Sequence, residues 1–248
     1  MRNTWALYKK ELRTYFASPL FYVVSAVFLC LCGFYFYSDL YYFIQFGFGV
    51  NILENFFQLL FVDMRLVMLL TVPLLTMRLL AEERRLGTIE LLYTYPLRDG
   101  EILAGKFLAC LTVFGVMLGS TALYPVYLFT IQPYEWVPVL AGYLGLALLG
   151  TVFIACGLFI SSLTESQVVA GVGSIGLLLL FWIMSWNEAA SSDQVMQVVK
   201  ALSMFDHFFN FAKGMVDSGD AFYYIFFASF FCVLTLRSME SRRWRGRR

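Results

Sequence analysis

The stretch Val137–Ser162 reads VPVLAGYLGLALLGTVFIACGLFISS, twenty-six residues without one charge. As a helix it would be roughly 39 Å long, more than the about 30 Å of hydrocarbon in a bilayer. Outward from it lie five further apolar runs: Leu20–Tyr37, Met64–Leu80, Ile102–Thr130, Val168–Trp186 and Ala221–Leu236. Met64–Leu80 is short unless it borrows Phe56–Val62, which lie beyond Asp63 and Arg65, and Ala221–Leu236 has only sixteen residues. The whole chain agrees with these runs. Of 248 residues, 60% are hydrophobic and 14% charged, and the mean hydropathy is +0.72. Such a surface is wrong for water, so the chain reads as an all-α integral membrane protein with six transmembrane helices.

Charge placement tests that count, because Lys and Arg are retained on the cytoplasmic side. With six spans and both termini inside, fifteen of the eighteen basic residues fall in cytoplasmic segments, and only Arg65, Lys200 and Lys213 fall outside. The seventeen acids divide nine outside and eight inside. The bias is in basic residues and not in net charge, and it favours six spans over five or seven. The first run is long for a signal peptide and ends in Phe36-Tyr37-Ser38-Asp39, without small residues at a cleavage site, so it is expected to stay. Cys30, Cys32, Cys110, Cys156 and Cys232 all fall in predicted spans, where a free thiol is a small apolar group, and neither disulfides nor metal binding are expected.

Ahead of the first span, Trp5, Tyr8, Leu12, Tyr15 and Phe16 share an arc of about 100° on a helical wheel, with Lys9, Lys10, Arg13 and Thr14 on the other side. This predicts a helix lying in the membrane interface, either as a general anchor or with a specific role. Ser18-Pro19 ends it, since the residue before proline is pushed out of the α region. The longest cytoplasmic connection is Arg78–Glu101. Gly87 reads as a helix stop, Thr88 as an N-cap with Glu90 in the following turn, and Pro96 as a break, so Ile89–Tyr95 is predicted as a two-turn helix. Asp99 is positioned to cap the third span. On the outer side, Val195–Met215 has apolar residues at helical spacing. It reads as one or two short helices dipping into the outer leaflet or capping the bundle, or else as a surface loop.

Motifs for chemistry fail on mechanism. Gly100-Glu101-Ile102-Leu103-Ala104-Gly105-Lys106 matches half of a phosphate-binding loop, but Phe107 stands where a hydroxyl should meet magnesium, and no buried strand precedes it. Lys106 is expected to snorkel to the cytoplasmic interface. Glu82-Glu83-Arg84-Arg85 resembles part of an intramembrane protease helix, yet Gly87 occupies the position needed for its arginine. The single histidine, His207, lies beside Asp206 and reads as half of an interfacial hydrogen-bonding pair. Asp63 and Arg65, two apart, do not face each other on a helix and read as outer headgroup markers. Gly115 and Gly119, and the cluster Gly171, Gly173 and Gly176, predict close helix approach, within one subunit or at a dimer seam. Pro73 and Pro125 are expected to kink their helices.

The helix ending in Ser18-Pro19, the block Pro73–Leu92, the following Gly105-Lys106-Phe107, the turn Ser161-Ser162-Leu163-Thr164 and Phe205–Gly214 together resemble ABC-2 type transporter permeases. The most similar branch holds the gliding-motility and nitrous-oxide-reductase-maturation permeases. The resemblance runs over nearly the whole chain, with Arg78–Leu92 its most specific part. It implies one transmembrane domain over 1–248, in which 1–18 is an elbow helix, 78–101 a cytoplasmic coupling region and 187–220 an extracytoplasmic segment. It implies coupling through Glu82, Glu83, Arg84, Arg85, Gly87, Thr88 and Glu90, and an elbow formed by Trp5, Tyr8, Lys9, Lys10, Leu12, Arg13 and Phe16. The implied partners are an ABC-type ATPase subunit, which would hold ATP and Mg, a second permease (a copy or a sister protein) and the lipid bilayer. No cofactor on this chain and no nucleic acid is expected. ATP binding would close the ATPases and rock the two membrane halves, so that the complex exports a substrate across a bacterial inner membrane. The spans hold few polar residues, with Thr71, Thr76, Ser120, Thr121 and Thr151 scattered among them. That fits a lipid-like cargo, or a scaffold or motility-complex component that binds an ATPase and moves nothing.

Overall fold

The computed structural model describes residues 2–46, 56–87, 98–131, 133–184 and 203–245, which are helical apart from short turns. The helices are α1 (Arg2–Ala17), α2 (Pro19–Phe46), α3 (Gln58–Thr76), α4 (Ala81–Arg85), α5 (Asp99–Ser120), α6 (Leu123–Ile131), α7 (Trp136–Leu163), α8 (Gln167–Met184), α9 (Met204–Ala212) and α10 (Ser218–Arg245). Five stretches are long and apolar enough to cross a membrane: Pro19–Gln45, Gln58–Arg85, Asp99–Ile131, Trp136–Leu163 and Ser218–Ser241. The remaining predicted span, Val168–Trp186, corresponds to α8. Its described apolar part, Gln167–Ile183, is shorter, and its expected end at Trp186 lies outside the described residues.

The second span does borrow the segment beyond Asp63 and Arg65, because α3 starts at Gln58 and runs through both charges. Pro73 sits inside α3 without interrupting it. Pro125 acts differently. The third span breaks at Thr121-Ala122, between α5 and α6, because Pro125 has no N–H to give to the carbonyl four residues back and its ring crowds that carbonyl.

Helix α7 is the hub, with α3, α5, α8, α9 and α10 all against it. Its glycines explain how one helix takes so many neighbours. A Cβ at Gly142 would lie 2.0 Å from the Phe61 ring, at Gly145 2.5 Å from Phe211, at Gly150 2.3 Å from Phe114, and at Gly157 2.0 Å from Thr76. Each missing side chain is the space that a larger one from α3, α5 or α9 occupies. In lipid, where apolar surface gains little by leaving the solvent, such close contact is what holds helices together. Within the chain the expected approach at Gly115 and Gly119 is not seen, since no described atom lies within 4 Å of a Cβ at either or at Gly176, whereas Gly171 and Gly173 meet Met77 and Ile160. The tightest glycine contacts between membrane helices lie in α7, the run read only as a span.

Helix α10 runs parallel to α7. Gly214, at φ +82°, closes α9 with Gly214 N–H donating to Phe211 O (2.9 Å) and Met215 N–H to Asn210 O (3.0 Å). The same glycine lies against Pro138, at the first turn of α7, where a Cβ would be 2.5 Å from the proline Cβ. At the other end of α7, the Ser238 hydroxyl of α10 donates to the Ser162 carbonyl (3.4 Å).

Candidate coupling site

The end of the bundle that holds Thr76, Ser162 and Lys106 is built around a break in the chain after α3. Helical bonding stops at Thr76, and a turn over Met77–Leu80 leads into α4. The start of α4 has no side-chain cap of its own. Ser161 of α7 supplies one from outside: its fully buried hydroxyl accepts from Leu80 N–H (3.1 Å) and Ala81 N–H (3.0 Å) and donates to Met77 O (3.3 Å). Thus a serine from the hub satisfies the orphan donors of another helix, and α4 is fixed to α7. Gly87 ends α4 as predicted, with φ +67° and its N–H on Arg84 O at 3.0 Å. The predicted helix Ile89–Tyr95, with Thr88 and Glu90, lies outside the described residues.

Beside α4 is a buried ion cluster. Lys106 is 1% exposed. Its ammonium meets Glu83 at 2.8 Å and Glu11 at 3.3 Å, while Lys10 reaches the same two carboxylates at 3.8 and 3.3 Å. The expectation that Lys106 snorkels to the interface is therefore corrected: α1 covers it, and a covered ammonium needs carboxylates. Three separate segments, α1, α4 and α5, each contribute a charge. Gly105 makes the crossing possible, since a Cβ there would lie 3.0 Å from Leu7.

Of the predicted coupling residues, Glu83 faces inward to Lys106, Glu82 and Arg84 are half-buried, and Arg85, Leu86 and Gly87 are exposed. Of the predicted elbow residues, Tyr8 bonds Thr112 through hydroxyls 3.1 Å apart, and Leu12 is half-buried. Trp5, Lys9, Lys10, Arg13 and Phe16 are exposed. The contact face of α1 also includes Leu7 and Glu11, so it is turned by about 60° from the predicted apolar arc. The reason is that Glu11, polar by sequence, is drawn inward by Lys106. Tyr15 shares this face and donates to Leu75 O (3.0 Å), and burial holds its phenol well above the usual pKa. Arg78 Nη1 donates to the Ser18 hydroxyl (3.2 Å), joining the turn after α3 to the corner between α1 and α2.

Sequence reasoning missed Glu11 and Leu7, and it named Ser161 only within a turn carrying the resemblance, whereas Ser161 lies in α7 and caps α4. One signal was present: Glu11 is the only acid in a basic helix, and Lys106 a charge inside an apolar run.

At the opposite end, His207 pairs with Asp220 of α10 and not with the neighbouring Asp206, and Asn210 donates to the other Asp220 oxygen at 2.8 Å. Arg65 lies over the rings of Phe205 and Phe208, at 5.1 and 5.7 Å. With Asp63 it lines a cavity of about 80 Å³, too small for a substrate path. Among the described residues no group of three or more His, Cys, Asp or Glu side chains could hold a metal. The arrangement at the Lys106 end is a charge cross-link that joins α1, α4 and α5.

Residues 5–236 match the family model described as ABC-2 family transporter protein. No curated protein gives a significant match.

Proposed function

From the premise that the chain belongs to the ABC-2 family of transporter proteins, we propose that it is the permease subunit of an ATP-driven exporter, worked by a separate ABC-type ATPase. ATP and Mg would be held by that ATPase, and the transport path would be shared with a second permease, a copy or a sister protein. In this reading the chain crosses a bacterial inner membrane six times, with both termini in the cytoplasm, where the basic residues gather. Helix α1 is the elbow, 78–101 the coupling region and 187–220 the extracytoplasmic segment. The Arg78–Leu92 block supports placing the chain with the gliding-motility and nitrous-oxide-reductase-maturation permeases.

The observation that carries the proposal is the cluster of Lys106, Glu83 and Glu11. It ties the elbow and the third span to α4, the helix that precedes 88–97 in sequence, so a push received by α4 reaches the bundle through it. Ser161 makes the second tie, from α4 to the hub α7. The exposed Arg85 and Leu86 stand at the outlet, placed to meet a soluble partner.

The test is co-expression with an ABC-type ATPase from the same genome. Arg85→Glu with Leu86→Asp alters only exposed side chains. It should leave membrane insertion and melting unchanged, while co-purification of the ATPase falls at least about tenfold, as for a lost interface anchor worth roughly 1.4 kcal/mol or more. An ATPase that stays bound and stimulated would sink the assignment of this region.

A further inference from the structure

We propose that α1 and α5 form a seat for one anionic phospholipid, with its phosphate on Lys9 and Arg13 and a length of acyl chain in the groove beside Trp5, Tyr8 and Leu108. The inference rests on insertion in a membrane and not on transport or ATPase docking.

Helix α1 crosses α5 with its two edges at different depths. One edge carries Glu11 to Lys106. The other carries Tyr8 to Thr112, which lies six residues, roughly 9 Å, farther along the apolar run of α5. The Glu11 edge therefore faces the polar end of the bundle, and the Tyr8 edge faces hydrocarbon. On that second edge is an open groove of about 200 Å³, lined by Thr4, Trp5, Tyr8 and Leu108. Trp5 is 58% exposed, stacked on Tyr8 with ring centroids 5.0 Å apart, and Leu108 is 45% exposed. An indole at the boundary between a helix edge and lipid is where tryptophan sits in membrane proteins.

The charge beside the groove selects the lipid. Lys9 and Arg13 follow Trp5 one and two turns along the exposed ridge of α1, and the Lys9 ammonium lies 5.4 Å from the Trp5 ring centroid. Among the described residues neither cation meets a carboxylate, because Glu11, the only acid of α1, is turned inward to Lys106. Two exposed cations that meet no carboxylate among the described residues, beside an apolar groove, match a molecule with a phosphate at one end and a chain at the other. A free phosphate would leave the groove empty. A zwitterionic lipid would set its own cation against Lys9 and Arg13.

The experiment uses the full chain in nanodiscs containing phosphatidylglycerol or phosphatidylcholine with brominated acyl chains, at equal mole fraction. Quenching at Trp5 is read as the difference between the wild type and Trp5→Phe. Brominated phosphatidylglycerol should be enriched at Trp5 by about fivefold for each basic residue engaged. Lys9→Gln with Arg13→Gln should bring its quenching down to the phosphatidylcholine level, while quenching by brominated phosphatidylcholine stays unchanged and reports intact insertion. Equal quenching by the two lipids in the wild type, which means contact with bulk lipid only, overturns the proposal. So does a preference that survives in the double variant.

Discussion

Lys106 carries one positive charge out of water and is held there by two carboxylates from helices distant in sequence. Removing it alone leaves Glu11 and Glu83 without their buried cation, with only the exposed Lys10 still reaching both. Lys106→Met is expected to destabilise the chain by about 3–5 kcal/mol, because breaking a buried ion cluster costs far more than exchanging all of it for neutral groups. The triple variant Lys106→Met, Glu11→Gln, Glu83→Gln should recover most of that loss. Thermal unfolding of the full chain in detergent measures both, and equal melting of the single and triple variants would show that charge is not what the site needs. Ser161 makes a smaller case of the same kind. Ser161→Ala leaves the buried Leu80 and Ala81 amides without their acceptor, at about 1–3 kcal/mol, and hydrogen exchange at those two amides should rise. Little of this was legible from the residues. The lysine was visible as a charge in an apolar run and Glu82–Gly87 as a charged stop. That Glu83 turns inward while Arg85 and Leu86 turn outward depends on which helix covers Lys106, and contact between α1 and α5 is a tertiary fact with no local signature.

The helices themselves were largely readable, because apolar length is a one-dimensional property and lipid rewards it directly. Their contact faces were not. In α7 nearly every residue is apolar, so no stripe marks a buried side, and the glycines that admit Phe61, Phe211, Phe114 and Thr76 look like those of any span. Gly115 and Gly119, at the spacing usually read as a contact motif, meet nothing within 4 Å among the described residues. Spacing identifies small residues and not what lies opposite them. The pair Gly150 and Phe114 tests the observed contact. Gly150→Ala places a methyl 2.3 Å from the Phe114 ring and should cost about 1–3 kcal/mol through overcrowding. Phe114→Leu removes the ring atoms that the methyl would strike. The double variant should then be more stable than the sum of the two single losses by about 0.5–3 kcal/mol, measured by unfolding in the same detergent. Additive losses would mean that α5 and α7 do not meet at this glycine.

At the scale of the whole molecule the question is whether α8 crosses. By length, five stretches qualify and the described part of α8 falls just short. Connectivity argues for a sixth crossing. Helix α7 ends at Leu163 beside Ser238 of α10, whereas Gly214, after α9, rests on Pro138 at the other end of α7. Between 163 and 214 the chain must pass from one end of the hub to the other, and of the two described helices there, α8 and the nine-residue α9, only α8 approaches spanning length. Charge placement leads to the same count, since only an even number of spans gathers the N-terminal and C-terminal basic clusters on one side. The expectation is specific for single cysteines introduced on a background where Cys30, Cys32, Cys110, Cys156 and Cys232 are replaced by Ala or Ser. Glu135→Cys and Asp217→Cys should both react with an impermeant maleimide added outside intact cells, and Glu165→Cys and Ser241→Cys should react only after the membrane is opened. Were α8 to turn back without crossing, Asp217→Cys would join the protected set and Ser241→Cys would label from outside. That exchange of two positions distinguishes the topologies without any measurement of transport, and it decides whether the His207–Asp220 contact and α9 lie on the face opposite the Lys106 cluster. In the proposed reading, a push on the coupling region would reach α7 through the tie of Ser161 to α4, at the end of the hub opposite α9.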